Sequence, residues 1–163
     1  MEISERESMD WIRRASEYRT LTGKRDQLGF PLGAVEAARL GELERFFEES
    51  MHPARLIWNQ REQQRVPISV VVMFGQNDIG RGRARDISGD GLYVETDAPL
   101  PVGTRTVVAV MDRMTAEEWR FGAEVVRLES GGMGLRFVGI PVSLRVGHRA
   151  APPLRRRPMR RAA

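Results

Sequence analysis

Two short stretches of this sequence carry side chains whose types and spacing could bind an anionic ligand. In the first, "REQQR" at 61–65, Arg61 and Arg65 lie four positions apart, so they share one side of a helix and can also converge from a turn. A guanidinium presents a planar fork of donors that matches two phosphate oxygens, or the O6 and N7 edge of guanine. The other interpretation is a solvated pair, because the chain is rich in arginine.

The second stretch is "DISGDG" at 86–91, where Asp86 and Ser88 alternate at the end of an expected strand and leave it on one face. A carboxylate that accepts from the N1 and N2 donors of guanine, beside a hydroxyl, can read a purine edge. Gly91 permits a backbone conformation or a close approach that a Cβ atom would block. The alternative is a plain turn, because Asp, Ser and Gly also cap their own backbone.

Length and composition limit the class of protein. The 163 residues suffice for one domain with extensions. The absence of Cys excludes disulfides and thiolate metal sites, and we expect no metal and no cofactor. The start of the chain is charged, and the longest apolar run, "VPISVVVMF", is far shorter than the roughly 20 residues of a membrane span. We therefore predict a soluble cytoplasmic protein without a membrane span.

The net charge of +4 is unevenly distributed along the chain. From Val142 onward there are seven Arg and no acidic residue, so this end carries +7 and the rest carries −3. Arg outnumbers Lys by 25 to 1, which reduces the weight of any single Arg as a functional signal. The folded part is therefore expected to be mildly acidic, with a basic tail.

The elements that must position the two stretches follow from the hydrophobic pattern. Over residues 1–50 apolar positions recur three and four apart, which predicts helices on both sides of the breaker "GFPLG" at 29–33. We expect this helical pair to pack on its own domain or on a second copy of the chain; the alternative is an arm that docks on a specific partner. From Val66 short runs rich in Val, Ile, Phe and Tyr predict strands at 66–75, 79–87, 91–96, 104–112, 119–129 and 132–139.

These six strands are too close together for parallel crossovers, which need a dozen or more residues each. The fold prediction is mainly β: a six-stranded antiparallel β-barrel, because closure removes exposed strand edges. An N-terminal helical region precedes it. After residue 140 the sequence is rich in Pro and Arg and has few large apolar residues. This composition predicts a disordered basic C-terminal tail.

The combination of "REQQR" and, about twenty residues later, "DISGDG" in a β-rich frame resembles the PilZ domain family of bacterial cyclic di-GMP receptors. The family signatures are RxxxR and (D/N)xSxxG, and no signature position is substituted here. The flanking "RVPISVVVMF" and "GMGLRF" also resemble the first and last strands of the family. The resemblance indicates an organisation of helical region 1–57, PilZ-type barrel 58–140 and flexible tail 141–163.

The resemblance implies a non-enzymatic receptor that binds cyclic di-GMP. Arg61 and Arg65 would hold phosphates and guanine edges, Asp86 and Ser88 would contact a guanine, and Gly91 would leave room for the base. Binding would reposition residues 1–57 and signal to a protein partner, and a homodimer is left open. This function would not require a catalytic group.

The sequence leaves three alternative functions. An enzyme is disfavoured, because His52 and His148 lie beside a proline and in the tail and neither is an evident base for Ser88. A small barrel with an Arg-rich tail could bind nucleic acid, although the body is net acidic and lacks a row of aromatic residues. A PilZ-type adaptor could act through protein contacts without the nucleotide.

Overall fold

The computed structural model describes residues 3–49 and 65–145 of the chain. Two helices come first, α1 from Glu5 to Asp26 and α2 from Ala34 to Glu49. Ser4 caps α1, since its side chain accepts from the Glu7 N–H and the Glu7 carboxylate accepts from the Ser4 N–H. The two predicted helices on either side of 29–33 are therefore confirmed.

Seven strands follow the helices. They are β1 (Val66–Gly75), β2 (Gly80–Ile87), β3 (Gly91–Glu95), β4 (Arg105–Asp112), β5 (Glu117–Glu129), β6 (Gly132–Phe137) and β7 (Val142–Arg145). The first six match the predicted strands, and no end differs by more than two residues. The runs of β-branched residues and the turn chemistry between them account for this agreement.

The first six strands form a closed antiparallel barrel. Their order is β4-β1-β2-β3-β6-β5, and pairing of β4 with β5 closes the ring. The predicted mainly β, six-stranded barrel is thus confirmed. The seventh strand lies outside the ring and pairs with β5.

The seventh strand departs from the prediction of a flexible tail from residue 141. β5 pairs with β6 only from Ala123 onward, so its beginning has a free side there. Val142 pairs with Arg120 and Arg145 with Glu117, which gives the backbone groups of that stretch partners. The remaining tail residues, 146–163, lie outside the described part of the chain.

Inward-facing residues of every barrel strand form one hydrophobic core. In β1 alternate residues from Val66 to Phe74 are buried, as the two-residue period of a strand requires. Phe121 and Phe137 stack inside the barrel with ring centroids 4.7 Å apart. The core therefore fixes which side chains of each strand face outward.

Helix α1 packs on the barrel and extends its core. Met9, Ile12 and Ala15 belong to the same buried cluster as the strand residues. Ser8 accepts a hydrogen bond of 2.9 Å from the backbone N–H of Ser69 in β1. The helix is thus docked on the barrel by apolar and polar contacts together.

A partly buried ion pair also connects α1 to the end of β4. Arg13 donates to the carboxylate of Asp112, whose side chain is only 7% exposed, and its guanidinium lies 5.3 Å from the ring centroid of Trp119. Burial favours the neutral carboxyl, but hydrogen bonds from Met114 and Thr115 and the charge of Arg13 outweigh it, so the pKa of Asp112 is lowered. The carboxylate is therefore held in its charged form.

Helix α2 packs on α1 and makes no comparable polar bond to the barrel within the described residues. Leu40 and Leu43 form a small buried cluster with Leu21 of α1. Arg39 forms an ion pair of 2.8 Å with Glu17. Neither described helix combines the length and the apolar character needed to cross a membrane.

Candidate functional site

The stretch 86–91, called the signature turn below, links β2 to β3. The Ser88 N–H donates to the Gly91 carbonyl at 2.8 Å, and the Ser88 hydroxyl accepts from the N–H groups of Asp90 and Gly91 at 3.2 Å each. Ser88 is only 3% exposed. Its side chain is therefore part of the turn itself, in agreement with the plain-turn alternative for this residue.

An extra residue in β2 turns the Asp86 side chain outward. Ala84 pairs with Val94 and Asp86 with Tyr93, so Arg85 has no partner of its own on β3. Ala84 faces the core, and strict alternation would direct Asp86 there as well. Because the bulge interrupts the alternation, Asp86 is only partly buried and the next residue enters the core instead.

Gly91 is required by the closeness of two strands. A Cβ atom on Gly91 would lie 2.1 Å from the carbonyl oxygen of Leu135 in β6. The sequence left two reasons open for this glycine, an unusual conformation or a close approach. The close approach is the one observed, and the neighbour is the barrel backbone.

Arg65, the last residue of the RxxxR signature, contacts the signature turn. It directly precedes β1, whose residues Val66 and Pro67 pair with Ile87 and Asp86. Its Nη1 donates to Oδ1 of Asp86 at 2.5 Å, and the two side chains are 17% and 22% exposed. The ion pair is thus partly shielded from water. A charged hydrogen bond in such a position is stronger than one at the open surface.

Of the five residues predicted for ligand binding, the structure places Arg65, Asp86, Ser88 and Gly91 in one region. Arg65 and Asp86 are in direct contact, whereas Ser88 and Gly91 serve the turn. Arg61 lies outside the described residues, so its contribution stays a prediction. The described part of the site therefore offers one guanidinium and one carboxylate.

Tyr93 was missed by the sequence reasoning. It lies opposite Asp86 in the β2–β3 ladder, and a Cβ on Gly132 would be 2.6 Å from its hydroxyl oxygen. Burial, together with the charges of Glu129 and Glu95, raises the pKa of Tyr93. The phenol is therefore protonated at neutral pH, and its hydroxyl lies against the start of β6, at the end of β3 away from the signature turn.

Arg19 of α1 was also missed, and it reaches the signature turn. Its Nη1 lies 3.7 Å from Oδ1 of Asp90, and its Nη2 donates to the Gly139 carbonyl at 3.1 Å. The Arg19 side chain is 14% exposed, and its buried Nε has no hydrogen-bond partner among the described residues. Nearby, a Cβ on Gly23 would lie 2.5 Å from Ile140, so the helix closely approaches the β6–β7 connection. α1 thus contacts the backbone frame of the site.

The barrel sequence matches a known protein family. The family model described as PilZ domain matches residues 59–146. The crystal structure of the PilZ domain of CeSA from a cellulose-synthesizing bacterium is 21% identical, with 47% of this chain and 81% of that chain covered and a TM-score of 0.40. The structure of the Bacillus subtilis inhibitor of motility (MotI/DgrA) is 20% identical, with 50% and 44% covered and a TM-score of 0.41. No curated protein matches the chain.

The family model covers more than half of the chain, and the chain therefore belongs to the PilZ domain family. PilZ domains are binding domains of cyclic di-GMP receptors and act on protein partners; they are not enzymes. The expected resemblance is thus confirmed at the level of the family.

Proposed function

We propose that this protein is a cyclic di-GMP receptor whose ligand binds at Arg65, Asp86 and the signature turn, with Arg61 as a further contact. The observation that carries the proposal is the 2.5 Å ion pair between Arg65 and Asp86, which joins one residue of each signature. It supports a single site built from both motifs, and neither motif is substituted.

The ion pair leaves Arg65 able to bind a phosphate. A guanidinium has five N–H donors, and the hydrogen bond to Asp86 uses one of them. Asp86 can therefore orient Arg65 while other donors of the same group hold a phosphate oxygen or a guanine edge. Cyclic di-GMP carries two phosphate charges and two guanines, so it suits this combination of donors and acceptor.

The output of binding is a change in the position of the N-terminal helices. Arg19 contacts Asp90 of the signature turn and the Gly139 carbonyl, which supports a connection between ligand and helix. A ligand shifts such an equilibrium only by its different affinity for the two arrangements. A ligand-induced change in the signature turn that weakens the Arg19 contacts would supply this difference in affinity. The new position of the helices would then be recognised by a protein partner.

A calorimetric titration of the full chain with cyclic di-GMP tests the proposal. We expect saturable binding of the cyclic dinucleotide and none of linear guanine nucleotides, because only the cyclic compound holds both guanines and both phosphates in one compact shape. The absence of binding to the full chain contradicts the proposal.

Hydrogen exchange tests the output separately. Amides of α1 and of residues 35–58 should change their protection when saturating cyclic di-GMP is added, whereas those of β4 and β5, which carry none of the proposed ligand contacts, should not. Identical protection with and without ligand would contradict the repositioning of the helices but not the receptor function.

A nucleotide-independent adaptor is the second candidate, and one observation favours it. The Ser88 hydroxyl and the Asp86 carboxylate both have partners within the protein, so the site is satisfied without a ligand. Capture of a defined partner that is insensitive to added cyclic di-GMP, together with a negative titration, would select this function.

A further inference from the structure

A groove of about 570 Å³ lies on the outer faces of β4, β1 and β2. Its floor includes Val71, Met73, Ala109 and Met111, which point outward because the alternate residues of these strands fill the core. Met73 and Met111 are 42% and 37% exposed, and Met73 pairs directly with Ala109. None of the lining residues belongs to the signature turn.

The rim of this groove is positively charged. Arg81 and Arg83 project from β2, and Arg113 follows β4. None of the three forms an ion pair with a described residue, although Arg83 donates to the Ser69 hydroxyl at 3.2 Å. Unpaired guanidiniums beside exposed apolar side chains attract a ligand that is both acidic and apolar.

Two acidic residues also line the groove, and they do not cancel this charge. Glu118 is already paired with Arg120, which lies outside the groove lining. Glu5 is then the one lining carboxylate without an ion pair to a described residue, against three arginines. The groove therefore has an excess of positive charge, which a negatively charged ligand would neutralise.

The parts of this chain that the structure does not describe are unsuitable occupants. Residues 146–163 contain six Arg and no acidic residue, and residues 50–64 contain two Arg and one Glu. Both would bring positive charge to a positive rim. Residues 1–2 are too short to fill the groove. Charge complementarity therefore points to another molecule.

We propose that the groove binds an acidic, amphipathic segment of a partner protein. Its apolar side chains lie on the floor, where the flexible side chains of Met73 and Met111 can adapt to them. Its carboxylates pair with Arg81, Arg83 and Arg113, since a guanidinium binds a carboxylate in a bidentate manner. A segment fits better than a membrane, because a flat bilayer would contact the rim and leave the concave floor uncovered.

The test uses the full chain and a short synthetic peptide in which glutamate alternates with leucine, labelled with fluorescein for anisotropy. Arg81→Glu should weaken peptide binding at least tenfold, about the effect of losing one charged contact. Raising the salt from about 0.05 to 0.5 M should weaken it further, because the rim is exposed. Met111→Ser should weaken it without a change in salt dependence.

Matched controls separate the groove from general charge. Arg45→Glu on α2 makes the same charge change away from the groove and should leave peptide affinity unchanged. Peptides with lysine for glutamate, or serine for leucine, should not bind. Equal losses in Arg81→Glu and Arg45→Glu would overturn the proposal.

Two further outcomes identify other occupants and would also overturn it. One is binding of phosphatidylglycerol vesicles without binding of the peptide. The other is a homodimer of the chain that Arg81→Glu dissociates while no peptide binds. Cyclic di-GMP affinity should be unchanged in Arg81→Glu, so failure of the receptor function and failure of the groove are distinguishable.

Discussion

At the scale of single residues, the contact between Arg65 and Asp86 is the central feature of the site. Both side chains are mostly buried, so removal of either one leaves the other charge poorly compensated. In the proposed receptor, each of the two residues therefore contributes to ligand binding directly and through its effect on the other.

We expect Arg65→Ala and Asp86→Ala to weaken cyclic di-GMP binding about tenfold to a hundredfold, because each removes a charged hydrogen-bonding partner worth about 1.5 to 3 kcal/mol. Calorimetry on the full chain measures the change. The control is Arg85→Ala, which lies next to Asp86 but forms an exposed 2.8 Å ion pair with Glu95. Unchanged affinity in both site variants would place the ligand elsewhere.

Neither stretch was sufficient evidence by itself, and only the two signatures together indicated that Arg65 and Asp86 belong to one site. The structure places the two side chains in contact, and their binding of a ligand stays a prediction. The structural role of Ser88 followed only as an alternative, since its hydroxyl could serve the ligand or the turn. Arg19 could not be found from spacing, because its contact with Asp90 depends on how α1 docks on the barrel.

At the scale of the elements, α1 is held to the barrel by a charge that titrates in acid. The pKa of Asp112 is lowered in the folded protein from a reference value of 3.8, so the ionised carboxylate stabilises the fold above that value. This contribution is lost as the pH falls through the lower, folded-state pKa. Acid should therefore weaken the turn after β4, where Met114 and Thr115 bond the carboxylate, and with it the ion pair to Arg13 of α1.

We expect Asp112→Asn to be less stable than the parent chain at neutral pH, with the difference narrowing below about pH 4. Urea unfolding of both chains at several pH values, followed by tryptophan fluorescence, measures it. Asp97→Asn, at an exposed loop position, is the control. A stability difference that is the same at every pH would contradict a role for the ionised carboxylate.

The approach of β3 to β6 gives a prediction for Gly91. Gly91→Ala places a methyl group against the Leu135 carbonyl and should cost about 1 to 3 kcal/mol of unfolding free energy. Chemical denaturation measures it. Gly41→Ala is the matched control, because a Cβ there meets no atom within 4 Å and helix propensity favours alanine. Equal stability of Gly91→Ala and the parent chain would show that the strands can separate.

The strands and helices were largely predictable, and the exceptions have physical causes. Alternation and turn residues marked the six barrel strands clearly. β7 was missed because it is only four residues long and lies in a Pro- and Arg-rich stretch; all four residues are exposed, and the strand is held by backbone pairing with β5. The bulge at Arg85 was missed because hydrophobic pattern alone does not reveal an extra residue in a ladder.

At the scale of the whole molecule, β7 determines where the folded part can be shortened. A chain that ends at Arg145 keeps all described strands, whereas one that ends at Ile140 leaves Glu117–Arg120 without that neighbour. We expect the first to keep the stability and cyclic di-GMP affinity of the full chain. The second should unfold at a lower urea concentration, and equal midpoints for both would contradict a structural role for β7.

The chain that ends at Arg145 also isolates the basic tail. It lacks six of the Arg residues, so any salt-dependent binding of polynucleotides by the full chain should be lost with them. Retention of that binding in the shortened chain would assign it to the barrel instead.

The internal bonding of the Ser88 turn separates the two halves of a signature that is usually considered as one unit. Ser88 bonds within the turn and Gly91 permits the close approach of β6, whereas the proposed ligand role falls to the partly exposed pair of Asp86 and Arg65. Under the proposed function, selection in a homologue that has lost the ligand would still preserve the serine and the glycine while the charged pair drifts. Survival of the small residues alone is therefore poor evidence of signalling in distant homologues.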